Sequence, residues 1–522
     1  MIGPWLAAGS TVARAADPAD TIAGEAAAAA VRPDDGRPDD VRPGDALPPV
    51  FSGFVLFQAK ATVDDLASTN PLLDGQVVGR LGGTNGVVVD PTVRSAYAEQ
   101  RVSPFVTFAP RVLDGKGSLT AAFEVDFAFG DQAYGVGGNV GGGFGADQVN
   151  LQTRRLHADW FPSGEHHDLH VILGLQFVAD SVTDPTRTTP DGLLRSGGGL
   201  ALFGSEAAGL SAFGRWRDDW GTRLRYRIGS YTLVEQGLSL PDDVWLTMAD
   251  VEVRPAQATG IGAHLWYLQD RSHAGGALAL GPTGSLWELQ GGPSLDPYDG
   301  YPPPANAPVD ADLVWAGLDA SFNAGLDRGP VGVRGVVLGN FGKIYAPIVH
   351  DDGVAGATAT AEARLRWARG DGSVLRVTGL FATADDADPQ RYTGVVTGNA
   401  YGVVGAPMPT TGGSLLFPDP GAIDRMVAVV SDLSNQGLGL VALSAGAGWD
   451  PIPDRVTLAA GTAVAATAAG TPVGTELNGR IAARPLVGCT VAARAAVVSP
   501  GPAAPLGGTP WTISLGVDWL LF

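Results

Sequence analysis

The sequence is poor in cysteine and histidine, the residues on which disulfide bonds and many catalytic sites depend. It contains one cysteine, Cys489, among 522 residues, so no disulfide bond can form within the chain. No combination of serine or cysteine with histidine and an acid singles out a nucleophile, and we therefore predict no enzymatic activity. Lysine occurs only at Lys60, Lys116 and Lys343. The formal net charge of −20 argues against nucleic acid as a partner.

Long hydrophobic runs are also scarce. Residues 456–474 carry no charge and are about long enough for a membrane-spanning helix. They consist mainly of alanine, threonine and glycine, however, and these residues contribute little to the insertion of a helix into a membrane. We therefore predict a strand followed by a loop of small residues over this range.

The N-terminal residues contain two segments that do not read as part of a folded domain. Residues 13–15, Ala-Arg-Ala, resemble the small-residue site at which signal peptides are cleaved. We predict an export signal over residues 1–16, although its start lacks the usual positive charge. Residues 17–50 are rich in alanine, proline and aspartate, a composition that predicts a disordered leader.

The last twelve residues show the pattern that recurs along the rest of the chain. Their odd-numbered positions are apolar on one face: Trp511, Ile513, Leu515, Val517, Trp519 and Leu521. The even-numbered positions Thr512, Ser514, Gly516 and Asp518 fall on the other face. Strict alternation is the period of a β-strand that has one face in an apolar medium and one in a polar medium.

Alternating segments of this kind follow one another as hairpins, joined by turns rich in glycine, proline and aspartate. They number about 18, an even count as bacterial β-barrels require. The joints alternate between short turns and long loops, with the longest near residues 63–94, 181–203, 271–310 and 385–435. The predicted strands cover residues 51–61, 96–108, 118–129, 154–161, 169–180, 209–217, 222–231, 245–254, 260–269, 313–324, 331–341, 359–368, 373–384, 438–449, 456–465, 476–484, 489–498 and 511–522.

A closing strand that ends on an aromatic residue, Phe522, resembles the last strand of bacterial outer-membrane β-barrels. The resemblance implies an all-β fold over residues 51–522: a transmembrane, antiparallel, up-and-down barrel of about 16–18 strands with short periplasmic turns and long extracellular loops. A soluble β-sandwich or a repeat architecture remains the alternative, because alternation alone does not exclude either.

The same resemblance implies a location and a set of partners. It places the protein in the outer membrane of a Gram-negative bacterium, in contact with lipid and lipopolysaccharide. It also implies that Phe522 belongs to the membrane-insertion signal read by the barrel-assembly machinery. Both a monomer and a homotrimer are compatible with the pattern.

Arginines and acids alternate on the polar face of several predicted strands, which makes them candidates for lining a pore. Arginine side chains in a narrow lumen favour the passage of carboxylates or phosphates, whereas acids favour cations. The alternative is that these charges pair across strands and only stiffen the wall. The candidates are Arg155, Arg215, Arg217, Arg223, Arg225, Arg227, Arg364, Arg366 and Arg376, with the acids Glu124, Asp126, Asp250 and Glu252.

Two other groups of polar residues are weaker candidates. His166, His167 and His170 surround Asp168, but consecutive residues on an exposed turn rarely converge on one metal ion, and we predict a plain turn. The long loops are rich in aspartate, and no ligand spacing like that of an EF-hand occurs in them. We therefore predict no metal site and no cofactor.

One hairpin resembles the alginate-export family of porins. The residues that carry this resemblance are Arg155-Leu-His-Ala-Asp-Trp160, the turn, and His170-Val-Ile-Leu-Gly-Leu-Gln176. We expect first a porin for the passive diffusion of small hydrophilic, especially anionic, solutes. Export of an anionic polysaccharide is the second hypothesis, and a structural or adhesion barrel without transport is the third.

Overall fold

Eighteen long strands follow one another along the chain, and each pairs with the next in antiparallel fashion. They are β1 (Val50–Asp64), β2 (Ser95–Ala109), β3 (Gly117–Ala128), β4 (Val149–Trp160), β5 (His167–Ala179), β6 (Gly204–Asp218), β7 (Gly221–Val234), β8 (Val244–Ala256), β9 (Thr259–Asp270), β10 (Asp310–Phe322), β11 (Val331–Ala346), β12 (Val349–Arg366), β13 (Val374–Ala382), β14 (Leu440–Ile452), β15 (Val456–Ala466), β16 (Pro472–Leu486), β17 (Cys489–Pro500) and β18 (Trp511–Leu521).

This computed structural model describes most of the barrel and parts of the connections. The described residues are 50–65, 77–79, 86–88, 95–109, 116–128, 149–162, 167–179, 204–218, 221–234, 243–256, 258–271, 310–346, 349–370, 372–386, 391–396, 413–417, 429–430, 433, 435, 437–504 and 508–521.

The sheet closes on itself because β1 has two partners. It pairs with β2 on one side and with β18 on the other, in a register that runs from Val55 opposite Leu521 to Asp64 opposite Thr512. The amide Nε2 of Gln58 donates a hydrogen bond of 2.7 Å to Asp518 Oδ1 across this seam. The prediction of an up-and-down barrel of about 18 strands is therefore confirmed, and every strand predicted from the sequence overlaps one of the barrel strands.

The outer face of the barrel is apolar, as the alternation predicts. On β18 the odd-numbered Ile513 and Leu515 are exposed, whereas Ser514 between them is buried. Elsewhere the most exposed apolar side chains include Leu173 at 63% and Leu477 at 62%, both in mid-strand and pointing away from the interior. Only a membrane can cover such a band around a closed barrel.

Aromatic side chains mark the two edges of this band. At the end of the barrel where β1 begins and β18 finishes, five tryptophans are exposed on the outer face: Trp160, Trp216, Trp367, Trp449 and Trp519. Near the opposite end, Tyr267, Phe341 and Phe381 are exposed. Aromatic rings concentrate at the boundary between lipid and water. The chain is therefore a membrane-spanning barrel of the outer-membrane type.

The two ends of the barrel differ in the length of the connections between strands. We call the end where β1 begins the turn end, and the other the loop end. The four longest intervals between strands, 65–94, 180–203, 271–309 and 383–439, all lie at the loop end. Two joints at the loop end, 347–348 and 467–471, are nevertheless short.

The run of small residues that raised the question of a membrane helix is part of this sheet. Residues Val456–Ala466 form β15, and a turn leads into β16 at Pro472, as predicted. Within the described ranges, no helix is long and apolar enough to cross a membrane.

Two further pieces of strand lie outside the barrel ladder: a small hairpin of Val77–Gly79 with Gly86–Val88, and the pair Arg391–Tyr392, which runs parallel to β12.

Candidate functional site

The interior of the barrel is divided into two tiers, and β8 shows the division within one strand. Towards the loop end its inward residues Val244, Leu246 and Met248 are completely buried. Towards the turn end the same face carries Asp250, Glu252 and Arg254. The alternation predicts one face in a polar medium, but on the loop-end half of β8 the inward face is apolar. We call the two parts of the interior the apolar tier and the charged tier.

Glu362 on β12 lies at the centre of the densest cluster in the charged tier. Arg364 Nε lies 2.6 Å from its carboxylate, and Arg334 Nε on β11 lies 3.1 Å away. Arg376 Nε on β13 completes the group at 3.5 Å. Three strands thus bring three guanidinium groups to one buried carboxylate.

Three other acids of the charged tier each face two arginines. Asp168 is 3.3 Å from Arg215 and 2.6 Å from Arg217. Glu252 and Glu124 repeat this arrangement, with Arg225 and Arg254 around the first and Arg101 and Arg154 around the second. Together with the Glu362 cluster, four acids face nine arginines. Each of these four acids is therefore shared by two or three arginines.

A fifth cluster is balanced. Arg227 on β7 contacts Asp250 through Nε at 2.9 Å and through Nη2 at 2.5 Å. His264 on β9 lies 2.8 Å from Asp250 through Nδ1 and 2.8 Å from Asp319 on β10 through Nε2. Trp266 Nε1 also donates to Asp250. Two acids and two basic side chains therefore form a continuous polar row across four strands.

The register of the sheet places arginines of these clusters directly opposite each other, once between two clusters and once within the Glu362 cluster. Arg215 on β6 faces Arg225 on β7, and Arg364 on β12 faces Arg376 on β13. Like charges directly across a strand pair are destabilising unless an anion meets them. Asp168, Glu252 and Glu362 supply part of the compensation, and each does so for more than one arginine.

Four arginines of these clusters, Arg101, Arg154, Arg254 and Arg334, are absent from the set predicted from the sequence, and a bulge explains the second. The register between β3 and β4 shifts by one residue after Ala122, so that Ala122 faces Arg155 while Phe123 faces Thr153. Both Arg154 and Arg155 are consequently buried. The guanidinium carbon of Arg155 lies 5.1 Å from the centre of the Phe177 ring. A strict period of two assigns only one of two successive residues to the interior, which is why the alternation gave Arg155 alone.

The remaining predicted residues have different surroundings. Arg223 lies beside Asp218 at 2.8 Å and donates to the carbonyl oxygens of Arg254 and Pro255, so it is tied to the turn end. Arg366 is half-buried at the end of β12. The side chain of Asp126 and the whole of Phe522 lie outside the described residues, and so does His166.

The described histidines of the proposed turn have protein partners. His167 Nε2 is 3.0 Å from the hydroxyl of Tyr226, and His170 Nδ1 is 2.9 Å from Asp159. In the part of the chain that the structure covers, no group of three His, Cys, Asp or Glu side chains is placed to hold a metal ion.

Part of the long connection between β13 and β14 lies inside the barrel. We call residues 391–396, 413–417, 429–430 and 433 the inner segment. Its apolar side chains, among them Leu416 and Phe417, are buried against inward residues of the apolar tier such as Leu380, Leu440 and Val498. Backbone hydrogen bonds from Val429 and Val430 to the carbonyls of Leu415 and Leu416 hold two of its stretches together.

A buried carboxylate fixes one stretch of the inner segment. Glu476 on β16 is fully buried and points inward. Its two oxygens accept hydrogen bonds from the backbone N–H groups of Ser414, Leu415 and Leu416, at 2.7, 3.0 and 2.6 Å. Asn478 also donates to it, at 2.7 Å. A carboxylate that accepts several N–H groups makes charge-assisted bonds, which are stronger than bonds between neutral groups.

Two inward side chains of β10 and β11 fix the other stretch. Asn340 on β11 accepts a hydrogen bond from the N–H of Val396 at 3.2 Å. Trp315 Nε1 on β10 donates to the carbonyl of Val396 at 2.9 Å. The inner segment is therefore attached to the wall at two places, and it narrows the interior above the charged tier.

Comparison with known proteins finds likeness in structure alone. No family model matches the chain, and no curated protein matches its sequence. A BenF-like porin from Pseudomonas fluorescens Pf-5 superposes with a TM-score of 0.46 at 12% identity, over 90% of this chain and 98% of that chain. OccK5 (OpdH) from Pseudomonas aeruginosa gives 0.46 at 8%, over 90% and 98%. An anion-selective porin from Comamonas acidovorans gives 0.39 at 10%, over 91% and 100%. Such distant likenesses identify no function.

Proposed function

We propose that this barrel is an outer-membrane porin through which small hydrophilic solutes diffuse, with a preference for anions. Four clusters of the charged tier, in each of which two or three arginines share one acid, support this proposal. The chain as a whole is acidic, with 34 basic and 54 acidic residues, so this concentration of arginine inside the barrel runs against the composition.

Fixed guanidinium groups that face a narrow aqueous interior attract anions because a low-dielectric wall concentrates their field. The neighbouring carboxylates hold the guanidinium planes in place and reduce the repulsion between them. A solute with a carboxylate or phosphate group can exchange hydrogen bonds with successive clusters as it moves towards the turn end, which we take to be the periplasmic side.

The apolar tier and the inner segment support a selective channel rather than a wide one. They occupy interior space near the loop end, where a solute from outside would enter. We infer that the passage runs beside the inner segment and then along the charged tier. The pore-lining role of the arginines named from the sequence is part of this proposal.

The test is the conductance of the purified protein in a planar lipid bilayer. Stable single-channel steps are expected, and a silent bilayer would contradict the porin function. In a salt gradient the reversal potential should indicate anion preference, and it should shift towards cations when Arg215, Arg217 and Arg225 are replaced by glutamine. A matched control replaces Arg328, Arg369 and Arg455, three exposed arginines of turn-end joints, and should shift it much less.

An unchanged reversal potential in the first variant would mean that the arginines only stiffen the wall. Block of the conductance by anionic oligosaccharides, with small anions passing slowly, would instead favour export of a polysaccharide.

A further inference from the structure

The outer face of the barrel is polar over one group of strands, β7 to β11, at the loop end. We call this area the polar patch. Its side chains share the outward face with exposed apolar residues nearer the membrane centre, such as Ile228 on β7 and Leu265 on β9. The hydroxyl, amide and charged members of the patch are Ser230, Thr232, Thr247, Gln269, Asp312 and Lys343. The patch lies outside the barrel, so its role goes beyond the channel proposed above.

The polar patch is continuous because its residues face one another in the register of the sheet. The row nearest the loop end runs from Thr232 to Trp245, Gln269, Asp312 and Lys343, each opposite the next. At roughly 4.8 Å between neighbouring strands, this row of five residues spans about 19 Å. A surface of this width accommodates a saccharide with its substituents.

The second row of the polar patch lies at the boundary of the membrane. Thr247 faces Ser230 on one side and Tyr267 on the other. Tyr267 belongs to the aromatic edge of the lipid-facing band, and Leu210, which faces Ser230, is 54% exposed. Aromatic rings concentrate at the level of lipid headgroups. The hydroxyl groups of Ser230 and Thr247 therefore lie at that level and not in the water above it.

Several other strands carry apolar side chains at the corresponding outward positions. Val63 near the end of β1, Val441 at the start of β14 and Val464 near the end of β15 are exposed by 42%, 41% and 41%. Hydrocarbon is a sufficient neighbour for such side chains. Hydroxyl and amide groups, in contrast, lose free energy beside hydrocarbon unless they find hydrogen-bond partners. The polar patch therefore marks the part of the wall that has a polar neighbour in the membrane.

The charged residues of the polar patch include an exposed cation. Arg271 Nη2 binds both oxygens of Asp312, at 2.9 and 2.7 Å, and the hydroxyl of Tyr267 donates to Asp312 at 2.6 Å. Arg271 also interacts electrostatically with Asp310. Lys343 is exposed, and among the described residues it forms no ion pair. Its ammonium group is therefore available to an anionic headgroup at the membrane surface.

We propose that the polar patch binds the phosphorylated sugar headgroup of a lipopolysaccharide molecule in the outer leaflet. The hydroxyl and amide side chains hydrogen-bond the sugar rings, and Lys343 binds a phosphate group. A phospholipid headgroup supplies the phosphate but not a row of sugar hydroxyls that would match the length of the patch. The assignment shares with the proposed channel only the orientation of the barrel, with the loop end outwards.

Native mass spectrometry of the detergent-extracted full chain tests the proposal with bisphosphorylated lipid A, the same lipid A without its phosphates, and phosphatidylethanolamine. The wild-type protein should retain phosphorylated lipid A in preference to the other two lipids. Lys343→Gln should reduce the preference for the phosphorylated over the dephosphorylated form by about fivefold, as expected for one cation near an anionic lipid surface. Ser230→Ala combined with Thr247→Val should reduce the retention of both forms of lipid A relative to phosphatidylethanolamine.

Matched controls make the same chemical changes elsewhere. Thr475→Val removes an exposed hydroxyl from the outer face of β16 near the loop end, and Arg369→Gln removes an exposed cation from a turn-end joint; neither should alter lipid retention. Heat-dependent mobility on gels verifies that each variant forms the barrel, and the single-channel conductance should be the same in all of them.

Unchanged retention of lipid A in the variants of the polar patch would overturn the proposal, whereas a silent bilayer alone would contradict only the porin function. Dissociation of an oligomer by these variants, without loss of lipid A, would show that the patch receives a second copy of the chain instead.

Discussion

Asp250 accepts hydrogen bonds from side chains on two neighbouring strands, those of Arg227, His264 and Trp266. All four groups are almost completely buried. A buried carboxylate in such surroundings depends on its partners, because the loss of one of them leaves charge in a medium that cannot solvate it. Single residues of the charged tier therefore differ greatly in their contribution to stability, although all of them are inward-facing and charged.

Replacement of Arg227 by alanine should destabilise the barrel by about 3–5 kcal/mol, because Asp250 then loses the guanidinium group that contacts it through two nitrogen atoms inside the wall. The measurement is unfolding of the liposome-embedded protein by urea, followed by tryptophan fluorescence. Arg217→Ala is the control, since the Arg217 side chain is 48% exposed and Asp168 keeps Arg215 nearby. That change should cost about 1 kcal/mol or less. Equal losses in the two variants would contradict the distinction.

At the scale of elements, the inner segment depends on a strand that is distant from it in sequence. Glu476 on β16 binds the backbone at Ser414, Leu415 and Leu416, about 60 residues earlier along the chain. Its carboxylate is fully buried, so the three N–H groups have no equivalent partner if the charge is removed.

Glu476→Gln should loosen this stretch, whose Leu416 and Phe417 side chains are completely buried in the wild-type barrel. Hydrogen–deuterium exchange at the backbone amides of Ser414, Leu415 and Leu416, followed by mass spectrometry, should then be at least about ten times faster in the variant, since the loss of charge-assisted bonds costs roughly 1.5–3 kcal/mol. Glu252→Gln, the same change in the charged tier, should leave these amides protected. Equal protection in the Glu476 variant would show that apolar packing alone holds the segment.

The strands themselves could be predicted because a period of two is visible wherever one face meets lipid and the other meets polar groups. The two tiers could not, because on the loop-end half of β8 both faces are apolar: Leu246 and Met248 point inward while Trp245 and Ala249 belong to the outer face. The inner segment has no regular period, and its location depends on contacts with Glu476, Asn340 and Trp315 that are remote in sequence. The bulge beside Arg154 breaks the alternation that identified its neighbours.

At the scale of the whole molecule, closure of the sheet removes every free strand edge from the lipid band. Deletion of β18 would leave both β1 and β17 with unpaired backbone groups in a medium that offers them no hydrogen bonds. We expect the deleted chain to form no barrel that resists protease or changes mobility on heating. A chain lacking only the small hairpin, residues 77–88, is the control and should fold normally. A heat-modifiable barrel without β18 would mean that β1 and β17 can pair directly.

The seam between β1 and β18 also sets an order of events during biogenesis. Gln58 and Asp518 meet although 460 positions separate them in the chain. Contacts this remote form late, since a very long stretch of polypeptide has to be arranged before its ends can meet. Until the final strand is in place, β1 has only one of its two neighbours, and its other edge stays open to any strand that can pair with it. The first strand is therefore open to mispairing until the last strand meets it, and closure of the ring ends that exposure.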